Sequence, residues 1–169
     1  TLKRVAVLWH PAAYGAKTMA GMKTEIETAA RALGIELILV SVDAPKDVPS
    51  AFASMAEQKP DGFMVFPSPM LYGEYRRIVE LAAKHKLPGI YAAREGVEAG
   101  GLISYGVNLA DLSRQTAPYV DKILKGAKPA ELPIEQPTKF ELLINLTTAK
   151  ALGLQISRDF LLIADETIE

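Results

Sequence analysis

The sequence of 169 residues contains no cysteine, only two histidines and almost no net charge, with 19 basic against 20 acidic side chains. The lack of cysteine excludes a disulfide framework, a thiolate metal site and a cysteine nucleophile. The two histidines, His10 and His85, are far apart in the sequence, which argues against a transition-metal site. Balanced charge without a basic run argues against nucleic acid as a partner.

Long apolar runs are also absent, since no stretch reaches the roughly 18–20 residues that a membrane-spanning helix needs. The first residues, Thr1 to Val5, lead into a strand-like run without a signal-peptide pattern. We therefore expect either a cytosolic protein or a sequence that begins downstream of its targeting segment. A hydrophobic content of 49% excludes disorder, and the length suits one compact domain.

Short apolar runs alternate with longer segments of helical period in the first half of the chain. Helical spacing of apolar residues predicts helices over 15–33, around 52–56 and around 78–82. This alternation predicts an α/β fold, a three-layer, doubly wound and mostly parallel sheet with right-handed crossovers. The predicted strands are 5–9, 35–40, 63–66 and 87–91.

The pattern changes after residue 98. A short strand over 102–105 is followed by a helix that Asn108 caps and that Pro118 should kink. Three prolines within 126–137 predict an extended connector. The run 140–144 predicts a last strand, after which Asn145 caps a short helix that Gly153 closes. A capping-box pattern over 138–141 leaves one continuous helix as the alternative.

Ligands of an open parallel sheet bind at the carboxyl ends of its strands. The loop 10–15 also leads into the first helix, whose free N–H groups favour an anion. Arg94 and Glu95 could bind opposite charges of a polar ligand, and Ser68 is a hydroxyl held between two prolines. Because none of these residues forms a nucleophile–base pair, they predict binding without catalysis. The candidate ligand residues are His10, Tyr14, Gly15, Ser68, Tyr91, Arg94, Glu95 and Tyr105.

Several of these candidates also have an ordinary structural interpretation. Tyr14 can cover its loop, and Arg94 with Glu95 can form a surface ion pair worth about 0–1 kcal/mol. Tyr91 and Tyr105 can belong to the edge of the core. The segment 15–18 lacks the contiguous residues and the upstream glycine of a phosphate-binding loop, which argues against a nucleotide cofactor.

Several segments resemble the C-terminal part of ABC-transporter substrate-binding proteins. The most specific are 127–142 and 144–154, and 3–9 and 94–102 match in the same order. The group that looks most similar is the type I periplasmic binding proteins that include tryptophan and tyrosine binders. Its members are longer and place a ligand cleft between two α/β lobes.

The resemblance implies a division of the chain into parts. Residues 1–98 and 138–169 would form the C-terminal lobe. Residues 99–126 would belong with a first lobe that this sequence does not contain, and 127–137 would be a proline-rich connector. The apolar stripe of 99–126 is then expected to dock elsewhere or to mediate a homodimer.

The same resemblance implies the solute-binding component of an ABC uptake transporter, with no cofactor and with a membrane permease as partner. Its place would be periplasmic or extracellular, lipid-anchored or soluble. The solute would be an amino acid, in particular an aromatic one. The first loop lacks the serines or asparagines common in the group, and Pro67-Ser68-Pro69 lacks an acidic residue, so an aromatic or small carboxylate is comparably expected.

Two other functions stay open at this point. One is a ligand-sensing domain of a signalling or transcription-regulating protein, which uses the same two-lobe fold. The other is a small flavodoxin-like enzyme, against which the missing phosphate loop and nucleophile–base pair argue.

Overall fold

The computed structural model describes residues 2–169. The strands are β1 (Arg4–Trp9), β2 (Glu36–Ser41), β3 (Gly62–Val65), β4 (Gly89–Tyr91), β5 (Ile103–Val107), β6 (Phe140–Asn145) and β7 (Glu166–Ile168). They form one sheet in the order β2-β1-β3-β4-β5-β6-β7. Strands β1 to β5 are parallel, β6 is antiparallel to β5, and β7 is parallel to β6. The predicted mostly parallel α/β sheet is confirmed.

Local signals in the sequence set the helix boundaries. The side chains of Ser68, Asn108, Asn145 and Ser157 each accept a hydrogen bond from the backbone N–H three residues further on. The longest helix ends at Gly34, whose φ of 66° lies in the left-handed region that glycine tolerates. The helices are α1 (Ala16–Leu33), α2 (Val48–Glu57), α3 (Pro69–Gly73), α4 (Tyr75–His85), α5 (Arg94–Glu98), α6 (Leu109–Leu124), α7 (Leu146–Ala151) and α8 (Arg158–Leu162).

The alternatives left open for residues 140–144 are decided in favour of a strand. Phe140 lies opposite Val107 in the antiparallel ladder, and Ile144 lies opposite Ile103. The ladder bonds the backbone groups of both strands, so the neighbouring strand selects this conformation. Asn145 then caps α7, as predicted.

One face of the sheet, which we call the covered face, is buried under α2, α4 and α5. Phe63 packs edge-to-face against Phe52 of α2 and Tyr91 of β4, with ring centroids 5.3 and 5.9 Å apart. Tyr75 of α4 packs against Tyr91 in the same way, at 5.3 Å. These aromatic residues lie at the centre of the hydrophobic core.

The other face, which we call the open face, is covered by α1 over β1 and β2. Met19 and Ile26 of α1 lie with Val7 and Leu39 around a small apolar cavity there. Towards β4, β5 and β6, several large side chains on this face are not covered and are solvent-exposed. Tyr105 stacks on Phe140, with centroids 5.7 Å apart. Ile90 is 44% exposed, Tyr105 58% and Phe140 48%.

In the structure, segment 99–126 contains a strand of the sheet followed by helix α6. Its residues 103–107 form β5, which is hydrogen-bonded between β4 and β6, so assigning this strand to another lobe is a mistake. Helix α6 follows beyond the sheet edge and runs on through Pro118. Its assignment to a first lobe stays a prediction, as does a homodimer through this segment. The proline-rich connector contains one short 3₁₀ turn, Pro129–Glu131.

Candidate functional site

Two of the predicted ligand residues meet at the carboxyl ends of β1 and β3. His10 Nδ1 lies 3.2 Å from Ser68 Oγ, although the two residues are 58 positions apart. The Ser68 hydroxyl also accepts a hydrogen bond from the Leu71 N–H at 3.5 Å, which caps α3. A hydroxyl that accepts from Leu71 can donate to His10, which then carries its proton on Nε2. The contact orients the imidazole, and it corrects the expectation that no base lies beside the Ser68 hydroxyl.

The loop after β1 continues from this contact to the start of α1. Gly15 is the N-cap of α1 and supplies no side-chain hydrogen bond to the first turn. Its Cα faces open space, with no atom within 4 Å of where a Cβ would lie. Tyr14 beside it is 37% exposed. The first N–H groups of α1 are thus accessible to a ligand anion next to an aromatic ring.

Tyr72 in α3 is a candidate that the sequence analysis missed. It is half-buried, and its ring lies 5.3 Å from that of Tyr75. Burial raises the pKa of Tyr72, and the neighbouring Tyr14 and Glu95 raise it further. Tyr72 thus shares this edge of the sheet with both residues. Considering the first helical turn after each strand end, as well as the strand ends themselves, would have identified Tyr72.

Arg94 and Glu95 do not act as a pair. Among residues 2–169, Arg94 contacts three carboxylates, those of Glu98 at 2.8 Å, Glu166 at 3.0 Å and Glu141 at 3.6 Å. The hydrogen bond to Glu98 raises the pKa of Arg94. Glu95 is exposed and lies on the side of Tyr72 and Tyr75. An Arg94–Glu95 ion pair is therefore not observed, and a ligand role for either residue stays a prediction.

Tyr91 ends β4 and Tyr105 lies in β5, and their side chains are on opposite faces of the sheet. Tyr91 is 1% exposed, and burial raises its pKa far above the usual value. Its ring fills the space left by Gly96 and Gly101, where a Cβ would lie 2.4 Å from ring atoms. Tyr91 is therefore a core residue, as its alternative interpretation held. Tyr105 lies on the open face, stacked on Phe140.

Residues 2–169 contain no group of three or more His, Asp or Glu side chains placed to hold a metal ion. No helix in the same range is both long and apolar enough to cross a membrane.

Several solved structures are similar to this chain in fold. A domain protein from Vibrio cholerae O1 biovar El Tor is 28% identical, with a TM-score of 0.89 over 99% of this chain and 55% of its own. An ABC domain from Streptococcus pneumoniae, solved in complex with L-Trp, is 24% identical, with a TM-score of 0.87 over 99% and 57%. CD0873 from Clostridium difficile, a substrate binding protein with adhesive properties in its ligand-free open form, is 19% identical, with a TM-score of 0.69 over 100% and 55%.

This chain therefore spans a little more than half the length of these three structures. No curated protein sequence matches it. The family model for ABC transporter substrate binding proteins matches residues 1–168, almost the whole chain. The chain belongs to the family of ABC transporter substrate binding proteins.

Proposed function

We propose that this chain is a solute-binding lobe of an ABC uptake system and that its solute binds at the strand ends around His10 and Ser68. The observation that carries the proposal is the His10–Ser68 contact at 3.2 Å beside the uncapped start of α1. A fixed imidazole and free N–H groups are suited to the carboxylate of a small organic solute.

The surroundings of this contact favour an aromatic solute. Tyr14 is partly exposed and Tyr72 is half-buried, so both can contact an aromatic ring. Glu95 is exposed beside Tyr72 and can accept a hydrogen bond from an ammonium group. An aromatic amino acid fits all three groups, whereas an aromatic carboxylate leaves Glu95 unused. The L-Trp complex of one structural neighbour makes L-Trp the first solute to test.

Binding without chemistry is the better interpretation of Ser68 and His10. A serine nucleophile must reach a substrate atom, but Ser68 is 1% exposed and its Oγ faces Leu71 N–H and the imidazole. Its hydroxyl orients His10 and caps α3. We therefore propose a binding protein and not an enzyme.

The remaining parts of the proposal concern the longer protein. Membership of the family supports a second lobe that closes on the solute, a membrane permease as partner, and a periplasmic or extracellular location. In such a protein the solute must contact both lobes to favour the closed form. We expect this chain by itself to bind weakly, in the millimolar range.

Nuclear magnetic resonance titration of the ¹⁵N-labelled chain tests the proposal at such affinities. We expect L-Trp to shift the amide signals of residues 10–18 and 66–72 and to leave those of α8 unchanged. Indole-3-acetate tests the carboxylate alone, and tryptamine tests the amine alone. Saturating shifts confined to another part of the fold, or none with any of the three, would contradict the proposed site.

A matched pair of serine variants separates binding from capping. Ser68→Ala removes the contact with His10 and the cap of α3, and Ser157→Ala removes the cap of α8 alone. Each cap is worth about 1 kcal/mol of stability. We expect Ser68→Ala and His10→Ala to weaken solute binding about tenfold. Ser157→Ala should bind like the parent chain, and equal weakening by it would assign the effect to stability.

A homodimer through 99–126 is a separate proposal. The exposed side chains of Val120, Ile123 and Leu124 in α6 support it. Sedimentation equilibrium over a range of concentrations tests it, and a monomer at the highest concentration would contradict it.

A further inference from the structure

Helix α6 lies in the connection between β5 and β6, here called the excursion, which leaves the sheet and returns to it beside the residue from which it left. Residues 108–139 begin after Val107 and end before Phe140, and these two residues face each other in the β5–β6 ladder. Every residue of α6 keeps part of its surface exposed, and Leu124 is 81% exposed. Apolar burial therefore does little to fix the direction of α6 relative to the sheet.

Polar contacts at the first turn of α6 connect it to the sheet. Asn108 Oδ1 accepts a hydrogen bond from the Asp111 N–H at 3.0 Å. The amide Nδ2 of the same residue donates to both carboxylate oxygens of Glu141 in β6, each at 3.0 Å. One side chain thus caps the helix and joins it to the strand on which the chain returns.

The carboxylate of Glu141 is in turn held by α5. Arg94 Nη1 lies 3.6 Å from Glu141 Oε2, and the other guanidinium nitrogens bond to Glu98 and Glu166. The Glu141 side chain is 14% exposed, against 49% for Glu98 and 48% for Glu166. Charged hydrogen bonds in a partly buried position are stronger and more directional than exposed ion pairs.

Contacts elsewhere in the excursion do not duplicate this connection. The Tyr119 hydroxyl donates to the Pro133 carbonyl oxygen at 3.1 Å, which ties α6 to the proline-rich connector. The Lys125–Asp121 and Arg114–Asp111 pairs lie within α6 and its C-cap. These bonds stiffen the excursion internally but leave its angle to the sheet free.

We propose that the Asn108–Glu141–Arg94 contacts, here called the α6 anchor, set the direction in which α6 leaves the sheet. Asn108 and Glu141 act as positioning residues, and Arg94 holds Glu141 in place through its own bonds to Glu98 and Glu166. If α6 packs on a further lobe, as the proposed function implies, the anchor sets the angle at which that lobe meets this one. The anchor itself is testable without any solute.

Distances between two spin labels report the direction of α6. One label replaces Lys122 on α6 and the other replaces Glu80 on α4, and both positions are exposed. Double electron–electron resonance should give one narrow distance distribution for the parent chain. We expect Glu141→Ala to make it about twofold wider, because the helix then samples several directions. Glu36→Ala is the matched control, since Glu36 pairs with Arg4 in β1 and takes no part in the anchor.

Asn108→Asp separates positioning from capping. Aspartate still accepts the hydrogen bond of Asp111 N–H, but it replaces the amide donor with a charge that repels Glu141. We expect a wider distribution with unchanged helix content by circular dichroism. Glu141→Gln, which keeps the shape but loses the charge toward Arg94, should fall between Glu141→Ala and the parent chain.

Two results would overturn the proposal. In one, Glu141→Ala and Asn108→Asp fold as the parent chain does, by thermal unfolding, and keep its narrow distribution. In the other, Glu36→Ala widens the distribution as much as Glu141→Ala does, which would assign the effect to a general loss of stability. A wide distribution in Glu141→Ala and Asn108→Asp alone supports it.

Discussion

The two faces of the sheet carry similar side chains but differ in how completely helices cover them. On the covered face, Phe63 and Tyr91 are 2% and 1% exposed. On the open face, Ile90 and Tyr105 are 44% and 58% exposed, although Ile90 directly precedes Tyr91 in β4. Apolar character therefore does not decide burial in this sheet. The position of the helices decides it.

The direction of the crossovers explains this difference. The chain moves outward from β1 to β2, and afterwards it moves the other way, through β3, β4 and β5. Right-handed crossovers in opposite directions place their helices on opposite faces. One helix, α1, therefore lies on the open face, and α2, α4 and α5 lie on the other. On the open face, part of the surface of β4, β5 and β6 stays exposed, at Ile90, Tyr105 and Phe140.

The largest expected effect is a truncation on the covered face. Phe63→Ala removes a ring that packs edge-to-face on Phe52 and Tyr91. We expect the free energy of unfolding to fall by about 3–5 kcal/mol. Urea unfolding followed by circular dichroism measures it. A loss below that of the open-face variant described next would contradict the comparison.

A truncation on the open face should cost less. Ile90→Ala shortens a side chain that is already 44% exposed, so we expect a loss of about 1 kcal/mol by the same urea assay. Tyr105→Ser should lower the binding of an apolar fluorescent dye, because the Tyr105–Phe140 stack is part of the exposed surface of the open face. Unchanged dye binding in Tyr105→Ser would mean that the dye reports another surface.

A pH-dependent contribution lies at the start of β1, outside both faces. The carboxylate of Asp61 accepts hydrogen bonds from the Lys3 and Arg4 N–H groups at 2.7 and 2.9 Å, which lower its pKa. A pKa lower in the folded than in the unfolded state stabilises the fold above the unfolded value. This stability is lost as the pH falls through the folded pKa, below about pH 4. Asp61→Asn should remove this part of the acid-induced loss in urea unfolding at several pH values.

The smallest expected effect is at a buried hydroxyl on the covered face. Ser104 is 1% exposed, and its Oγ has no hydrogen-bond partner among the described residues. Ser104→Ala removes a desolvated polar atom without leaving a partner unpaired. We expect a change within about 1 kcal/mol, in the stabilising direction, by thermal unfolding. A clear loss of stability would show that the hydroxyl is bonded in solution.

The residues of the candidate site also differ in whether neighbours in the sequence or distant segments determine their contacts. The rule that ligands bind at the carboxyl ends of parallel strands selected His10 and Ser68, which do meet at one edge of the sheet, although their ligand role stays a prediction. It also selected Tyr91, whose ring turns into the core, since the rule gives the position of a residue and not the direction of its side chain. Arg94 directly precedes Glu95 in the sequence, yet two of the carboxylates that it contacts, those of Glu141 and Glu166, come from distant strands.

The sequence by itself determined the alternation of strands and helices and the caps at Asn108 and Asn145. These depend on periodicity and on bonds between residues a few positions apart. Tertiary structure alone decided that 140–145 is a strand, which face of the sheet is covered, and that His10 meets Ser68. Each of these depends on segments far apart in the chain, whose pairing no local pattern of side chains specifies.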